Sequence, residues 1–333
     1  MGLYEKLHWT IRGSEKPREF AYWLLSRQWV VRNPLYDALY KRRIRYRVSR
    51  SEEFPPLVSV ETSGLCNADC LYCTRGRMER ELGVMPMELF RKLADETAGR
   101  ADMFLSGFGE PLIDKGLEEK VEYAKRAGVR RVSFFTNASL LVPDRARALV
   151  GAGLDGVDLS IDGATAGSFN RVRRGLDFGE VYENVKYLAS LRRNGRPFIR
   201  LDTLILPETE NEKELVRKTF GPLTDRIVFR RPESWAEQIE LPPDVETPHV
   251  ERTTGNREPC IHLWGQINVY WDGTVPICCK DYDAKVQLGN AGDSSVAEVW
   301  RGEPLRSYRE KHLTKGFDDV PLCGECRYFS IWW

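Results

Sequence analysis

Cys66, Cys70 and Cys73 lie in the run Gly-Leu-Cys-Asn-Ala-Asp-Cys-Leu-Tyr-Cys, a C-x3-C-x2-C spacing. Three thiolates on one short loop can hold three irons of a [4Fe–4S] cluster and leave the fourth iron without a protein ligand. That open iron is a place where chemistry can occur. Closely spaced cysteines also serve in zinc knuckles and disulfides, so the spacing alone leaves those readings open.

The elements that must position this loop follow from periodicity. Short β-branched or aromatic runs read as strands over Leu57–Glu61, Met103–Ser106, Arg131–Phe135, Gly156–Ile161, Ile199–Leu206 and Arg226–Arg230. Between them, Met87–Thr97, Leu117–Ala127, Pro143–Ala152, Val181–Arg193 and Glu210–Phe220 repeat apolar residues at helical spacing, with Gly128, Gly153 and Gly195 as expected C-caps. Strands joined by helices cross over right-handed and stay parallel. Six such units fall short of the eight of a closed barrel, so the expected fold is α/β, an open partial (β/α)6 barrel with a lateral mouth. The expected organisation is a helical N-terminal cap over residues 1–54, the barrel over 55–235, and a small domain of β-hairpin plus helix over 236–333. In the cap, Asn33-Pro34 reads as a helix start.

In parallel α/β folds ligands sit at the C-terminal strand ends. The polar motifs fall there: the cysteine loop after strand one, Gly107-Phe108-Gly109-Glu110-Pro111 after strand two, Thr136-Asn137-Ala138 after strand three and Asp162-Gly163 after strand four. Singly each is ordinary turn chemistry; together they define one rim.

These residues resemble the radical S-adenosylmethionine (SAM) superfamily, including the aromatic Tyr72 immediately before the last cysteine. The resemblance implies that the open iron chelates the amino and carboxylate groups of SAM. Gly109-Glu110-Pro111 looks like the superfamily's Gly-Gly-Glu motif, with Phe108 in place of the first glycine, and implies that the backbone carbonyl and Glu110 accept from the SAM ammonium. Ser160 and Asp162 resemble residues that contact the SAM ribose and carboxylate, and Arg173 an arginine that pairs with that carboxylate. Asn137 joins this candidate SAM pocket. For Arg171, Arg173 and Arg174 a solvated basic turn is the simpler reading, expected to hold for at least one.

Cys260, Gly273 and Cys278 are followed by the pair Cys323 and Cys326. This half resembles the SPASM domain of radical SAM enzymes, through its C-x9-15-G-x4-C element. The full pattern continues with further cysteines, whereas here seven residues follow Cys326. The resemblance therefore implies one auxiliary [4Fe–4S] cluster on Cys260, Cys278, Cys323 and Cys326, with zinc as the alternative for four thiolates. Gln266–Tyr270 and Thr274–Ile277 read as a hairpin turning at Asp272-Gly273. Cys279 is left over, as a buried apolar residue, a replacement ligand or a hydrogen-atom donor.

Fifty Lys+Arg against 49 Asp+Glu give a charge of +1, which offers no global field for nucleic acid. No apolar stretch is long enough for a membrane span and no secretory pattern opens the chain, so a cytoplasmic location is expected, where eight cysteines suit metal or cluster binding. The superfamily resemblance implies reductive cleavage of SAM to a 5′-deoxyadenosyl radical, with a reductant such as flavodoxin or ferredoxin as partner. With an auxiliary cluster as electron acceptor, the expected activity is oxidation of a small polar metabolite, a sugar or aminocyclitol. Peptide modification and epimerisation are the alternatives, and a non-catalytic iron–sulfur or zinc module is a third. Pro207-Glu208 and Arg230–Trp235 are the substrate-contact candidates at the rim.

Overall fold

The computed structural model describes residues 52–236, 238–241 and 259–326, together with the helical positions Ala38, Arg42, Tyr46, Val48 and Ser49. The expected helical cap therefore lies almost entirely outside the described residues, as does the end of the chain after Cys326.

Strands β1 (Leu57–Val60), β2 (Asp102–Leu105), β3 (Val132–Thr136), β4 (Gly156–Ser160), β5 (Phe198–Leu204) and β6 (Arg226–Arg230) pair in parallel, each with its sequence neighbour. Helices α1 (Met87–Thr97), α2 (Leu117–Ala127), α3 (Pro143–Gly151), α4 (Ala166–Val172), α5 (Phe178–Ser190) and α6 (Lys213–Phe220) make the crossovers. One face of the sheet, with Met103, Leu105, Val132, Phe134, Val157, Leu159, Ile199 and Leu201, is buried in a common apolar core with Phe90, Leu93, Val121, Leu149, Val185 and Leu188 of the helices. Side chains alternate along a strand, so the other face is turned to the barrel lumen. In α2, acidic residues open the first turn and basic ones close the last, complementing the helix dipole. It ends at Gly128, whose φ of +99° lets its N–H return to Ala124 O and Lys125 O.

Three features differ from expectation. Helix α4 falls where no helix was expected; Thr165 caps it by accepting from Ser168 N, so Arg171 is helical and Arg173 is the C-cap. Helix α5 starts at Phe178 because Asp177 accepts from Glu180 N, and it ends at Ser190, which leaves Gly195 in the following turn rather than at a C-cap. The third difference is the pairing expected across Asp272-Gly273. The turn forms, with Tyr270 N donating to Thr274 O at 2.8 Å. Its two arms nevertheless join different sheets. β7 (Ile267–Val269) pairs in parallel with β1, giving a seven-stranded order β6-β5-β4-β3-β2-β1-β7 among the described residues. β8 (Thr274–Pro276) pairs instead with β9 (Gln287–Asn290) in an antiparallel hairpin. An open β1 edge beside the buried Val58 and Val60 explains the choice, because β7 covers the edge and buries Ile267 and Val269.

The C-terminal segment packs on the barrel rather than standing off it. Helices α7 (Val296–Arg301) and α8 (Glu303–Leu313) follow β9, and Ser295 and Glu298 form a capping box at the start of α7. Lys92 Nζ in α1 donates to Ala291 O and Ser294 O, and Val296 N donates to Glu96 at 2.6 Å. Among the described residues no helix is long and apolar enough to cross a membrane.

Candidate functional site

The cysteine loop leaves β1 at the C-terminal edge of the sheet and is pinned from three sides. Asp69 N donates to Arg174 O and Leu71 N to Val172 O, both at 2.9 Å, which lays the loop along the end of α4. Asn67 reaches the loop after β3, accepting from Asn137 Nδ2 at 3.0 Å and donating to Ser139 Oγ at 2.8 Å. The third side is Gly109. A Cβ there would stand 2.3 Å from Ser63 O, 2.5 Å from Leu65 O and 2.6 Å from the carbonyl carbon of Gly64, so only glycine lets the β2 loop lie this close, with Glu110 N donating to Leu65 O at 2.8 Å.

Glu110 is buried, and burial raises its carboxyl above the usual range. Oε1 accepts from Thr136 Oγ1 at 2.7 Å and Leu112 N at 3.1 Å; Oε2 accepts from Asn137 N at 2.8 Å. These bonds join the loops after β2 and β3 and leave acceptor capacity on Oε2 for a further donor. At the end of β4, Asp162 accepts from Leu204 N at 2.6 Å and pairs with Arg173 at 2.7 Å. Arg173 Nη1 points at Cys70 Sγ, 3.8 Å away. Burial works to lower the pKa of Arg173, yet Asp162 and Cys70 hold it above its ordinary value. Its Nε is buried with no acceptor among the described residues, a donor that an anion would satisfy. Arg171 and Arg174 are exposed, and Arg174 reaches only Asp69 at the surface.

Cys66, Cys70 and Cys73 are close enough to influence one another in sequence, Cys66 with Cys70 and Cys70 with Cys73. Burial raises the thiol pKa of Cys66 and Cys70, and a bound metal would supply the positive charge that draws off their protons. Among the described residues no three His, Cys, Asp or Glu side chains converge on a single ion. A four-iron cluster gives each thiolate its own iron, so this donor set fits one. Tyr72 is half-buried and Cys73 exposed beside it, with Cys73 Sγ accepting from Arg75 N to cap the turn Thr74–Arg77. Ser160 is half-buried at the last residue of β4, on the lumen face opposite Asp202 of β5.

The C-terminal cysteines form a second group. Cys278 faces Cys279, Cys323 and Cys260, while Cys279 faces Cys260 and Cys326 and takes a hydrogen bond with Gln266. Burial pushes the Cys279 thiol up to about 12. All five thiols therefore share one partly buried neighbourhood, and Cys279 is turned into it. His312 Nδ1 accepts from Cys260 N at 3.2 Å, and burial lowers His262 to about 4.

Sequence reasoning passed over what joins the two groups. Glu61, at the end of β1, is a fully buried carboxylate that accepts from Phe108 N at 2.9 Å and from Arg80 at 2.7 Å. Arg80 lies 4.0 Å over the Tyr270 ring and donates to Tyr282 O at 2.7 Å; Asp283 accepts from Glu79 N at 2.8 Å. Phe108 packs against Trp235, Tyr270 and Tyr282 at 5.4–6.2 Å. A glutamate ending a buried strand was the available sequence signal. Of the expected substrate-contact segments, Glu233 pairs with Lys280 and Trp235 lies 4.9 Å from the Lys280 ammonium, whereas Pro207 is exposed.

Residues 60–218 match the model of the Radical SAM superfamily, and residues 260–327 match the SPASM family, an iron–sulfur cluster-binding domain. A curated relative, the S-adenosyl-L-methionine-dependent 2-deoxy-scyllo-inosamine dehydrogenase of Niallia circulans, is 24% identical over 287 residues, 83% of this chain and 94% of that protein. The crystal structure of BtrN in complex with AdoMet and 2-DOIA superposes with a TM-score of 0.57 at 17% identity, covering 84% of this chain and 96% of that one. Streptococcus suis SuiB bound to precursor peptide SuiA superposes with a TM-score of 0.62 at 14% identity, covering 83% and 72%. At these identities the structural likeness is one of fold. The cysteine loop, the strand-end rim and the two family matches together lead to one conclusion: the chain is a radical SAM enzyme, a member of the Radical SAM superfamily with a C-terminal SPASM domain.

Proposed function

We propose that this enzyme is a dehydrogenase that oxidises a small polyhydroxylated metabolite, a sugar or aminocyclitol. In this reading Cys66, Cys70 and Cys73 hold the SAM-binding cluster, and Cys260, Cys278, Cys323 and Cys326 hold an auxiliary [4Fe–4S] cluster. When bound, these clusters and SAM supply abstraction of a hydrogen atom from the substrate and acceptance of its second electron. A CH–OH group then becomes a carbonyl by loss of one hydrogen atom, one electron and the hydroxyl proton.

The chain's own residues prepare the site. The Gly109 carbonyl and Glu110 Oε2 take the SAM ammonium; the buried Arg173 Nε, steadied by Asp162, takes its carboxylate. Tyr72, Asn137 and Ser160 line the nucleoside side. Cys279, turned toward Cys260 and Cys326, belongs to the auxiliary group and is a poor hydrogen-atom donor to the barrel lumen.

The observation that carries the reading is the junction: Arg80, Phe108 and Lys280 pack the C-terminal cysteine segment onto the strand ends beside the cysteine loop. A substrate there would lie between a hydrogen acceptor and an electron acceptor. The dehydrogenase relative supports it, being matched over 94% of its length, against 72% for peptide-bound SuiB. Anaerobic reconstitution with iron analysis tests the ligand sets: about eight irons per chain are expected for two four-iron clusters, about four would return the C-terminal site to zinc, and none would overturn the proposal.

A further inference from the structure

On β4, β5 and β6 several lumen-facing positions carry polar or charged side chains. Asp158 and Ser160 of β4 stand in register with Arg200 and Asp202 of β5, and Arg230 of β6 lies one pleat further along, opposite Leu204. Arg200 pairs with Asp158 and with Asp202, each at 2.7 Å, and Asp202 pairs in turn with Arg230. Arg230 is close enough to Lys280 for their like charges to oppose each other, and Lys280 is held by Glu233. One ladder of ion pairs thus runs through the lumen from Asp158 to Arg230, and a second pair, Lys280–Glu233, stands beside its end at the residue following Cys278-Cys279.

Packing does not account for it. Closed barrels fill their lumen with branched apolar side chains. A buried ion pair is often replaceable by apolar residues with no loss of stability, so charges in this place are better explained by what they face. Burial raises Asp158 to about 6 despite Arg200 beside it. A wall that alternates carboxylate acceptors with guanidinium donors matches hydroxyl groups, each of which both donates and accepts. Next to it Phe104 and Phe135 stand edge to face at 5.3 Å, with the Arg200 guanidinium 5.6 Å over Phe135, an apolar floor for the C–H face of a ring.

We infer that Asp158, Arg200, Asp202 and Arg230 form the substrate wall of this enzyme, binding the hydroxyl groups of a neutral or singly aminated polyol ring that lies on Phe135 below Ser160. This deepens the dehydrogenase reading and rests on it. The ring would then lie between Ser160, on the SAM side, and Lys280, on the auxiliary side.

The test is calorimetric titration of 2-deoxy-scyllo-inosamine, and separately of glucosamine, into the anaerobically reconstituted, SAM-loaded enzyme without reductant. The parent should bind at least one of them, and Arg230→Gln and Asp158→Asn should each weaken that binding at least tenfold while the cluster spectrum and SAM affinity stay at the parental values. Using two variants on different strands guards against one failing to fold. Parental polyol affinity in both variants would overturn the wall assignment and leave the dehydrogenase reading standing. A parent that binds neither polyol, yet cleaves SAM faster when given a peptide, would overturn both.

Discussion

Replacing Gly109 with alanine tests whether the β2 loop positions the cysteine loop. The added Cβ would meet Ser63 O at 2.3 Å, Leu65 O at 2.5 Å and the Gly64 carbonyl carbon at 2.6 Å, all of them backbone atoms. Relief needs a shift of at least about 0.7 Å, and none of the three atoms belongs to a side chain that can rotate away. The moving segment, residues 63–65, runs directly into Cys66. Overpacking of this kind costs about 1–3 kcal/mol of stability, and a misplacement near 1 Å can cost about a hundredfold in rate. Gly109→Ala should therefore lose roughly half of the iron bound by the parent, since only the first cluster is affected, and should form 5′-deoxyadenosine at least tenfold more slowly. Gly76→Ala is the control, because nothing lies within 4 Å of a Cβ there, although the residue is in the turn that follows Cys73. Iron content and 5′-deoxyadenosine formation are measured side by side on the anaerobically reconstituted proteins. Parental values for Gly109→Ala would refute the positioning argument.

Arg173→Lys should keep the charge beside Asp162 but lose the guanidinium fork, weakening SAM binding by about 1.5–3 kcal/mol in calorimetry; unchanged affinity would return Arg173 to a purely structural partner of Asp162. For Asp158, the carboxyl in the folded chain sits at about 6, above the ordinary value of 3.8, so the folded state binds the extra proton between those values and this group's contribution to stability falls as pH rises through that window. Asp158→Asn should remove that fall, on the order of 3 kcal/mol between pH 4 and 6, read as a flatter pH dependence of denaturant unfolding; parallel curves for parent and variant would count against it. Cys279→Ala should leave the auxiliary cluster's absorption and the rate of SAM cleavage near parental values, because four thiolates remain; loss of that absorption would make Cys279 a ligand.

The barrel was legible in the sequence because its strands and helices keep clean periods over short spans. Met87–Thr97, Leu117–Ala127 and Arg226–Arg230 have the expected bounds, and the rim motifs fall at strand ends because that is where parallel strands release their loops. What could not be read depended on contacts between residues distant in sequence. Ile267–Val269 carries the same local signal for a hairpin arm as for an edge strand, and only the exposed edge of β1, some two hundred residues earlier, decides between them. Glu110 was legible as a site residue, but not as the tie between two loops, since its donors Thr136 and Asn137 lie on the next strand's end. The lumen charges escaped notice because Asp158, Arg200 and Asp202 each look like a solvated position within its own strand. They form a ladder only once β4, β5 and β6 are set in register.

Product analysis in deuterated water tests the central claim most directly. The reconstituted enzyme is given SAM, a strong reductant and 2-deoxy-scyllo-inosamine, and 5′-deoxyadenosine and substrate-derived products are quantified by mass spectrometry. The account predicts that substrate accelerates SAM cleavage, that a ketone two electrons more oxidised appears in about one-to-one ratio with 5′-deoxyadenosine, and that no carbon-bound solvent deuterium enters the recovered alcohol. An isomeric alcohol one dalton heavier, or cleavage indifferent to the polyol but stimulated by a peptide, would contradict it.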